Sequence, residues 1–379
     1  MELNPNTLNI IIASIFALIC TCLQIAIQEQ LEDSSADYIE WLQTDRTSFS
    51  EFIFKSFGFI TQLVYVGTGV ILFLSFDRHL GFLTLSFGLI GAASSTLLKL
   101  MYAQPRPYWK YSHIAGLDCA TDWGTPSGHA LSAGCVLFYI GPIWINSSKR
   151  KLWKVCVIIF AVFITGFNRN YLGAHFYSQV VLGYSYSLLF ISIMAYPYIY
   201  EKLRKISKEV VYFTHGLAGV MFLTASLLYC FRKPYWDEEW GRNYSEKCGG
   251  KLHDGKPMIS DFTQTSYICI VAGLSLGYFK LEIKGLPKFN IKNLAISLGI
   301  AGTCAGIILG CVFLFSLFLD GIFLAFAVGL TGYFGGFSLG NVVPLLIYRL
   351  LGVKIDKGEF GFKFREIDEV DLPRVGYKP

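Results

Sequence analysis

The chain has 379 residues, 53% hydrophobic, 16% aromatic and only 16% charged, with a mean hydropathy of +0.48. Soluble globular chains carry nearer one quarter charged residues, so disorder, coiled coil, collagen and a small disulfide scaffold are all excluded. The net charge of +5 comes from 32 basic against 27 acidic residues and is parcelled among separate loops, which suits orientation in a membrane and leaves no nucleic-acid partner expected.

A bilayer core about 30 Å thick needs roughly 20 mostly apolar residues per helix. Runs of that kind lie near 8–27, 57–76, 80–102, 130–145, 152–173, 177–200, 210–231, 265–283, 294–319 and 322–350. They lack two-residue alternation, so the fold class is all-α: a polytopic transmembrane bundle of nine or ten spans. The first run has no Lys or Arg before it and no small-x-small cleavage site after Ile27, so it is expected to stay as a helix and not to be cleaved as a signal peptide. The fourth is short and carries Pro142. Segment 28–56 is acidic, with Glu29, Glu32, Asp33, Asp37, Glu40, Asp45 and Glu51 against Arg46 and Lys55. The chain divides into 1–56 (membrane helix and acidic segment), 57–200 (core), 201–353 (further helices) and a solvated tail, 354–379.

Loop charges orient the bundle. Lys149, Arg150, Lys151 and Lys154, then Lys202, Arg204, Lys205 and Lys208, then Lys280, Lys284, Lys288 and Lys292 fall on one face, which the positive-inside rule assigns with both termini to the cytoplasm. Segment 28–56 and loops 103–129, 168–176 and 232–264 fall on the other. That face holds the sequon Asn243-Tyr244-Ser245 and also Cys119 and Cys248, which an oxidising lumen would allow to pair. A second sequon, Asn146-Ser147-Ser148, lies on the inner face. The ten Cys contain no CxxC pair or zinc spacing, and most sit in apolar runs as small hydrophobes.

Ionisable groups at membrane depth are expensive, and three polar clusters stand out on the outer face. KLMYAQPRPYW carries Lys99 and Arg106-Pro107; TPSGHA carries Ser127, Gly128 and His129; FNRNYLGAHFYSQ carries Arg169 and His175. Two guanidinium forks and an ammonium suit phosphate oxygens. Ser127-Gly128 opens a helix whose free N–H groups favour an anion. Two imidazoles can divide nucleophile and acid roles near neutral pH. Such a phosphoryl pocket needs no metal and no cofactor, since three cations would carry the transition-state charge. Taken singly each residue has a plainer account: Lys99 as a snorkelling side chain, Ser127 as a helix cap, His175 as a packed histidine. Arg78-His79 is expected only to snorkel, and His215 only to pack.

In order and spacing, Lys99 with Arg106-Pro107, Pro126-Ser127-Gly128-His129, and Arg169 with His175 resemble the three signatures of the type 2 phosphatidic acid phosphatase superfamily, which includes lipid phosphate, sphingosine-1-phosphate and glucose-6-phosphatases and vanadium haloperoxidases. The resemblance covers 99–175 and implies a six-helix phosphatase core. It implies that His175 attacks phosphorus to form a phosphohistidine and that His129 protonates the leaving oxygen and then activates water. Lys99, Arg106, Arg169, the Ser127 hydroxyl and the Gly128 N–H would hold the phosphoryl oxygens. Two positions depart from the pattern: Asn168 stands where Ser is usual, and Gln179 where an Asp normally orients the nucleophile. Glucose-6-phosphatases also carry Gln there, and YLGAHFYSQVVLG with RPYW looks like theirs.

The expected activity is therefore a phosphoric monoester hydrolase of an internal membrane, most plausibly the endoplasmic reticulum, with its site in the lumen. Lipid phosphate is placed ahead of sugar phosphate because apolar helices border the site. A catalytically weak or inactive scaffold keeping the fold is the third reading, and Gln179 is its best support. The expected partners are a phosphorylated lipid or sugar and the membrane lipids, with a homo-oligomer left open. His113, Asp118 and Asp122 are expected to be surface or gate residues. The stretch Trp236–Trp240 is expected to anchor at the membrane interface more than to cover the site.

Overall fold

The computed structural model of the protein describes residues 5–147, 151–204, 207–250, 258–281, 291–319 and 321–351. The tail 354–379, the end of the second sequon at Ser148, and Lys149, Arg150, Lys205, Lys284 and Lys288 lie outside them. Among the described residues every regular element is a helix.

In chain order the helices are α1 Pro5–Ala26, α2 Gln28–Gln43, α3 Ser48–Ile71, α4 Arg78–Tyr102, α5 Pro107–Lys110, α6 Gly128–Asn146, α7 Lys151–Tyr171, α8 Tyr177–Met194, α9 Pro197–Arg204, α10 Lys208–Phe231, α11 Glu238–Cys248, α12 Met258–Thr265, α13 Ile268–Lys280, α14 Ile291–Phe318, α15 Gly321–Phe337 and α16 Val343–Leu350. Single π turns, Leu72–Phe76 and Ser338–Val342, follow α3 and α15. Nine helices among the described residues are long and apolar enough to cross a membrane. Phe59, Phe163, Phe213 and Phe313 point outward, as side chains facing lipid do.

Helix ends follow the local chemistry. Asp77 caps α4, accepting from the Leu80 N–H at 2.8 Å. At its other end Ala103 takes the left-handed conformation (φ 51°) and its N–H closes on Lys99 O at 2.8 Å. The chain leaves the helix there and reaches Arg106 a few residues on. Ser127 caps α6, which starts earlier than the apolar run suggests and passes through Pro142 without ending. The acidic segment 28–56 is helical: it forms α2 and the first turns of α3, which a capping box between Thr47 and Ser50 opens.

The run predicted over 265–283 behaves differently. It is split, with α13 too short to span by itself. Between α12 and α13 the N–H groups of Ser266, Tyr267, Cys269 and Ile270 all bond three residues back, so the rod tightens at Ser266-Tyr267 without breaking off. From Met258 to Lys280 it holds 23 residues. Helix α13 is buried against α15 through backbone contact: a Cβ on Gly273 would meet Tyr333 O at 1.9 Å, and one on Gly336 would meet Ile270 O at 2.1 Å. Small residues permit this approach where no hydrophobic force drives helices together in lipid.

The core that positions the polar clusters is α4 against α6, α6 against α8, and α7 beside both, with α1 along α8 and α3 along α4. Arg78 does more than snorkel. It donates to Gly340 O at 2.8 Å and Leu281 O at 3.3 Å and lies over the rings of Tyr278 and Phe73. His215 packs as expected, bonding Val211 O and the Tyr333 hydroxyl.

Candidate active site

The three clusters meet. Lys99 comes from the last turn of α4, Arg106 from the residue preceding α5, Ser127 and His129 from the start of α6, Arg169 from the end of α7, and His175 from the short turn before α8. That turn is tight. Gly173 takes φ +67°, the N–H groups of Ala174 and His175 both return to Arg169 O, and Asn170 Nδ2 donates to His175 O at 2.9 Å. Arg169 and His175 are thus locked to each other before any side chain is considered.

The ring of His175 is buried and held at both nitrogens. Nδ1 lies 2.8 Å from Gly124 O, and Nε2 lies 3.3 Å from Arg106 Nη1. A carbonyl only accepts and a guanidinium only donates, so both contacts demand the same tautomer: proton on Nδ1, lone pair on Nε2. Burial and the charges of Arg106, Arg169 and Lys99 hold His175 well below the usual histidine range, so the ring stays neutral. The positive neighbours keep Nε2 unprotonated, and its lone pair accepts from Arg106 Nη1. His129 is half-buried, within electrostatic reach of the same three cations and of His175, and its ring makes no hydrogen bond among the described residues.

Gln179 lies beside His175. Its Oε1 stands 3.3 Å from His175 Nδ1, accepts the Phe176 N–H at 3.2 Å, and its Nε2 donates to Pro105 O at 3.0 Å. The nearer acceptor for His175 Nδ1 is the Gly124 carbonyl, which the sequence did not single out. Asn168 turns away from the site and donates to Phe54 O at 2.7 Å, tying α7 to α3. Ser127 is fully buried; its Oγ accepts from the Ala130 N–H at 3.4 Å, a weak cap, and its own N–H donates to Gln179 O at 3.0 Å. Gly128 begins the helix, where the first N–H groups have no partner within the helix.

Asp118 and Asp122 are not surface residues of an open loop. Asp122 forms ion pairs with Lys99 and with Arg106, the latter at 2.7 Å, and Asp118 pairs with Arg169 at 2.6 Å. Burial would raise both carboxyls, but the guanidinium and ammonium charges overcome it and hold both below the usual carboxylate range. The only hint in the sequence was two carboxylates spaced four apart between two cation motifs. His113 is half-exposed at the rim, facing Glu40.

Outer elements clamp this arrangement. Gln43 of α2 bridges Ala115 and Tyr171, joining the loop between the first two clusters to the third. Helix α11 lies over the RPYW segment: Lys247 donates to Tyr108 O and Tyr111 O, and Cys248 is disulfide-bonded to Cys119. Two expectations change here. Asn243 is buried, 4% exposed, with its amide donating to Trp109 O at 2.8 Å, so the sequon is not presented for a glycan. Trp236 and Trp240 pack edge-on against Trp123, and Trp236 also against Trp109, so they cover the site wall. Rings buried by a helix that reads as polar cannot be told from interfacial aromatics by pattern alone.

The fold and site define a class: a helical membrane protein that brings two imidazoles and three cations suited to a tetrahedral oxyanion to one end of its bundle. Residues 79–203 match the family model described as the PAP2 superfamily, which supports the type 2 phosphatidic acid phosphatase superfamily for that segment. A match to that family supports phosphatase activity on phosphate esters. No curated protein and no solved structure matches the chain.

Proposed function

We propose that the chain is a metal-independent phosphomonoesterase that works through a phosphohistidine. The observation that carries this is the doubly enforced tautomer of His175, with a neutral Nε2 lone pair beside Arg106. In the first step that lone pair attacks phosphorus, the N–P bond forms as the P–O bond breaks, and His129, protonated once the substrate's phosphate dianion offsets the three cations, gives its proton to the leaving oxygen. In the second, neutral His129 takes a proton from water, the hydroxide adds to phosphorus, and the N–P bond breaks to release phosphate. Lys99, Arg106, Arg169, Ser127 Oγ and the Gly128 N–H hold the phosphoryl oxygens, and their fixed charge supplies the transition-state stabilisation.

A lipid phosphate is the leading substrate. An apolar cavity of about 250 Å³ lies between α4, α8 and α10 and reaches Ser94, five residues below Lys99 on α4, or roughly 7.5 Å of helix. A sugar phosphate is the second reading, favoured by Gln179 and RPYW. The site is assigned to the lumenal face of an internal membrane, the endoplasmic reticulum foremost, with both termini cytoplasmic. Support comes from the Lys-rich opposite face and the Cys119–Cys248 bridge, which an oxidising compartment permits.

The test is hydrolysis by the full chain in detergent across lipid phosphates of graded tail length and sugar phosphates. Release should resist EDTA, be blocked by vanadate and vanish in His175→Ala. His129→Ala should slow turnover by about 10²–10⁴-fold, most for poor leaving groups. Turnover surviving in His175→Ala would remove the nucleophile, and no release from any ester would leave the scaffold. Proteolysis of sealed vesicles should remove the tail after Val353 from the cytosolic side only.

A further inference from the structure

One loop between the first two clusters sets a carboxylate against every cation of the site. Asp122 takes Lys99 with Oδ2 and Arg106 Nη2 with Oδ1, while its carbonyl accepts from Arg106 Nε at 2.7 Å. Asp118 Oδ2 accepts from Arg169 Nη2 at 2.6 Å. The loop is fastened from outside at each end of this stretch. Cys119 is bonded to Cys248, the Ala120 N–H and carbonyl both meet the Tyr108 hydroxyl at 2.8 Å, and the Trp123 N–H donates to the buried carboxyl of Asp261 at 3.0 Å.

The donor count on Arg106 shows what this means for a ligand. A guanidinium has five N–H groups. Nη1 serves Ala174 O and His175 Nε2, Nε serves Asp122 O, and Nη2 serves Asp122 Oδ1, which leaves one. Carboxylate and phosphoryl oxygens want the same forks. Beyond that one N–H, a phosphoryl group engaging Arg106 competes with the Asp122 carboxylate, which also holds Lys99. Three cations and two carboxylates also leave these side chains a single net positive charge, so a product dianion is held far less tightly than by the cations alone.

Resting on the phosphatase reading of the site, we propose that Asp118 and Asp122 are specificity-determining residues: built-in anions that compete with the phosphoryl group for Lys99, Arg106 and Arg169 and so speed release of phosphate. Inorganic phosphate is the probe, titrated calorimetrically into the purified full chain and into Asp118→Asn and Asp122→Asn, beside its inhibition of hydrolysis. Asparagine keeps the size and an acceptor oxygen but no charge. Asp122→Asn should bind phosphate at least tenfold tighter and Asp118→Asn at least threefold, with KM and the phosphate inhibition constant falling together and kcat not rising. Asp118 is 41% exposed at its side chain, so its variant carries the test should Asp122→Asn fail to fold. Variants that bind phosphate no tighter than the unsubstituted chain, while that chain hydrolyses esters, would overturn this inference alone and make the carboxylates mere orienting groups. A chain that neither hydrolyses esters nor binds phosphate in any variant would overturn the phosphatase reading with it.

Discussion

His175 donates from Nδ1 to the carbonyl oxygen of Gly124, 2.8 Å away, while Gln179 Oε1 stands at 3.3 Å. The tautomer is therefore set mainly by backbone, and an uncharged side chain at 179 is compatible with a neutral nucleophile. A neutral hydrogen bond contributes about 1 kcal/mol, roughly fivefold. Gln179→Ala should thus lower kcat by no more than about tenfold. Gly124→Ala should cost far more, about 10²-fold by misplacing the ring, because its Cβ would lie 2.5 Å from Pro105 O and 2.7 Å from Gln179 Nε2. Single-turnover kinetics on both variants checks the order; a larger loss in Gln179→Ala would return the orienting role to the side chain.

The buried, neutral state of His175 also has a stability consequence. Its folded pKa lies well below 6.5, so the unfolded chain binds a proton at pH values where the folded chain does not. By linkage, stability due to this ring is level above pH 6.5 and falls as pH drops below it, until the folded pKa is reached. Asp118 and Asp122, with depressed pKa values, add a further loss once the pH falls through the range of unfolded carboxylates, near 3.8. Melting of the purified chain between pH 7.5 and about 5 should show the histidine slope, and His175→Asn should flatten part of it. An unchanged slope would assign the acid loss to other groups.

The membrane runs and the three clusters were legible because each rests on local signals: about 20 apolar residues in a row, or cations and histidines at short fixed spacings. Lys99, Arg106, His129, Arg169 and His175 converge because α4, α6, α7 and α8 end at one face. What escaped depended on loops folding over one another. Asp122 has its partners 23 and 16 residues away, and nothing in DCATDW marks it as facing inward. The backbone carbonyl of Gly124 has no side-chain signature at all. EEWGRNYSEKC reads as a solvated loop, yet α11 buries Trp240, Asn243 and Tyr244 against the site wall. One expected span, 265–283, is shifted to a rod over Met258–Lys280 for a similar reason, since it packs by tertiary contact with α15.

The disulfide should matter to the site more than to the membrane bundle. Cys119 and Cys248 close a loop of 129 residues in sequence and join the carboxylate-bearing loop to α11. Such links contribute about 2–4 kcal/mol, largely by restricting the unfolded chain. Cys119→Ser and Cys248→Ser should each lower the melting temperature by a similar amount, and the double variant should lower it no further. Calorimetry under non-reducing conditions measures this; additive losses would mean that the two thiols act separately.

Asn243 offers the sharpest contrast between sequence and structure. As the first residue of Asn243-Tyr244-Ser245 it is a glycosylation acceptor by pattern. Its amide is buried and donates to Trp109 O at 2.8 Å, beside Trp240 and Tyr244, so a glycan on that nitrogen would break the bond and split α11 from the RPYW segment. The chain isolated from a secretory-pathway membrane should therefore run unchanged on a gel after glycosidase treatment. Asn243→Asp should destabilise it, because the Trp109 carbonyl loses its donor and faces a buried carboxylate instead, at a cost of about 1–3 kcal/mol or more. Asn243→Gln, which also destroys the sequon, should give the same gel mobility as the unsubstituted chain. A glycosidase-sensitive shift that disappears in Asn243→Gln would show that α11 opens before it docks.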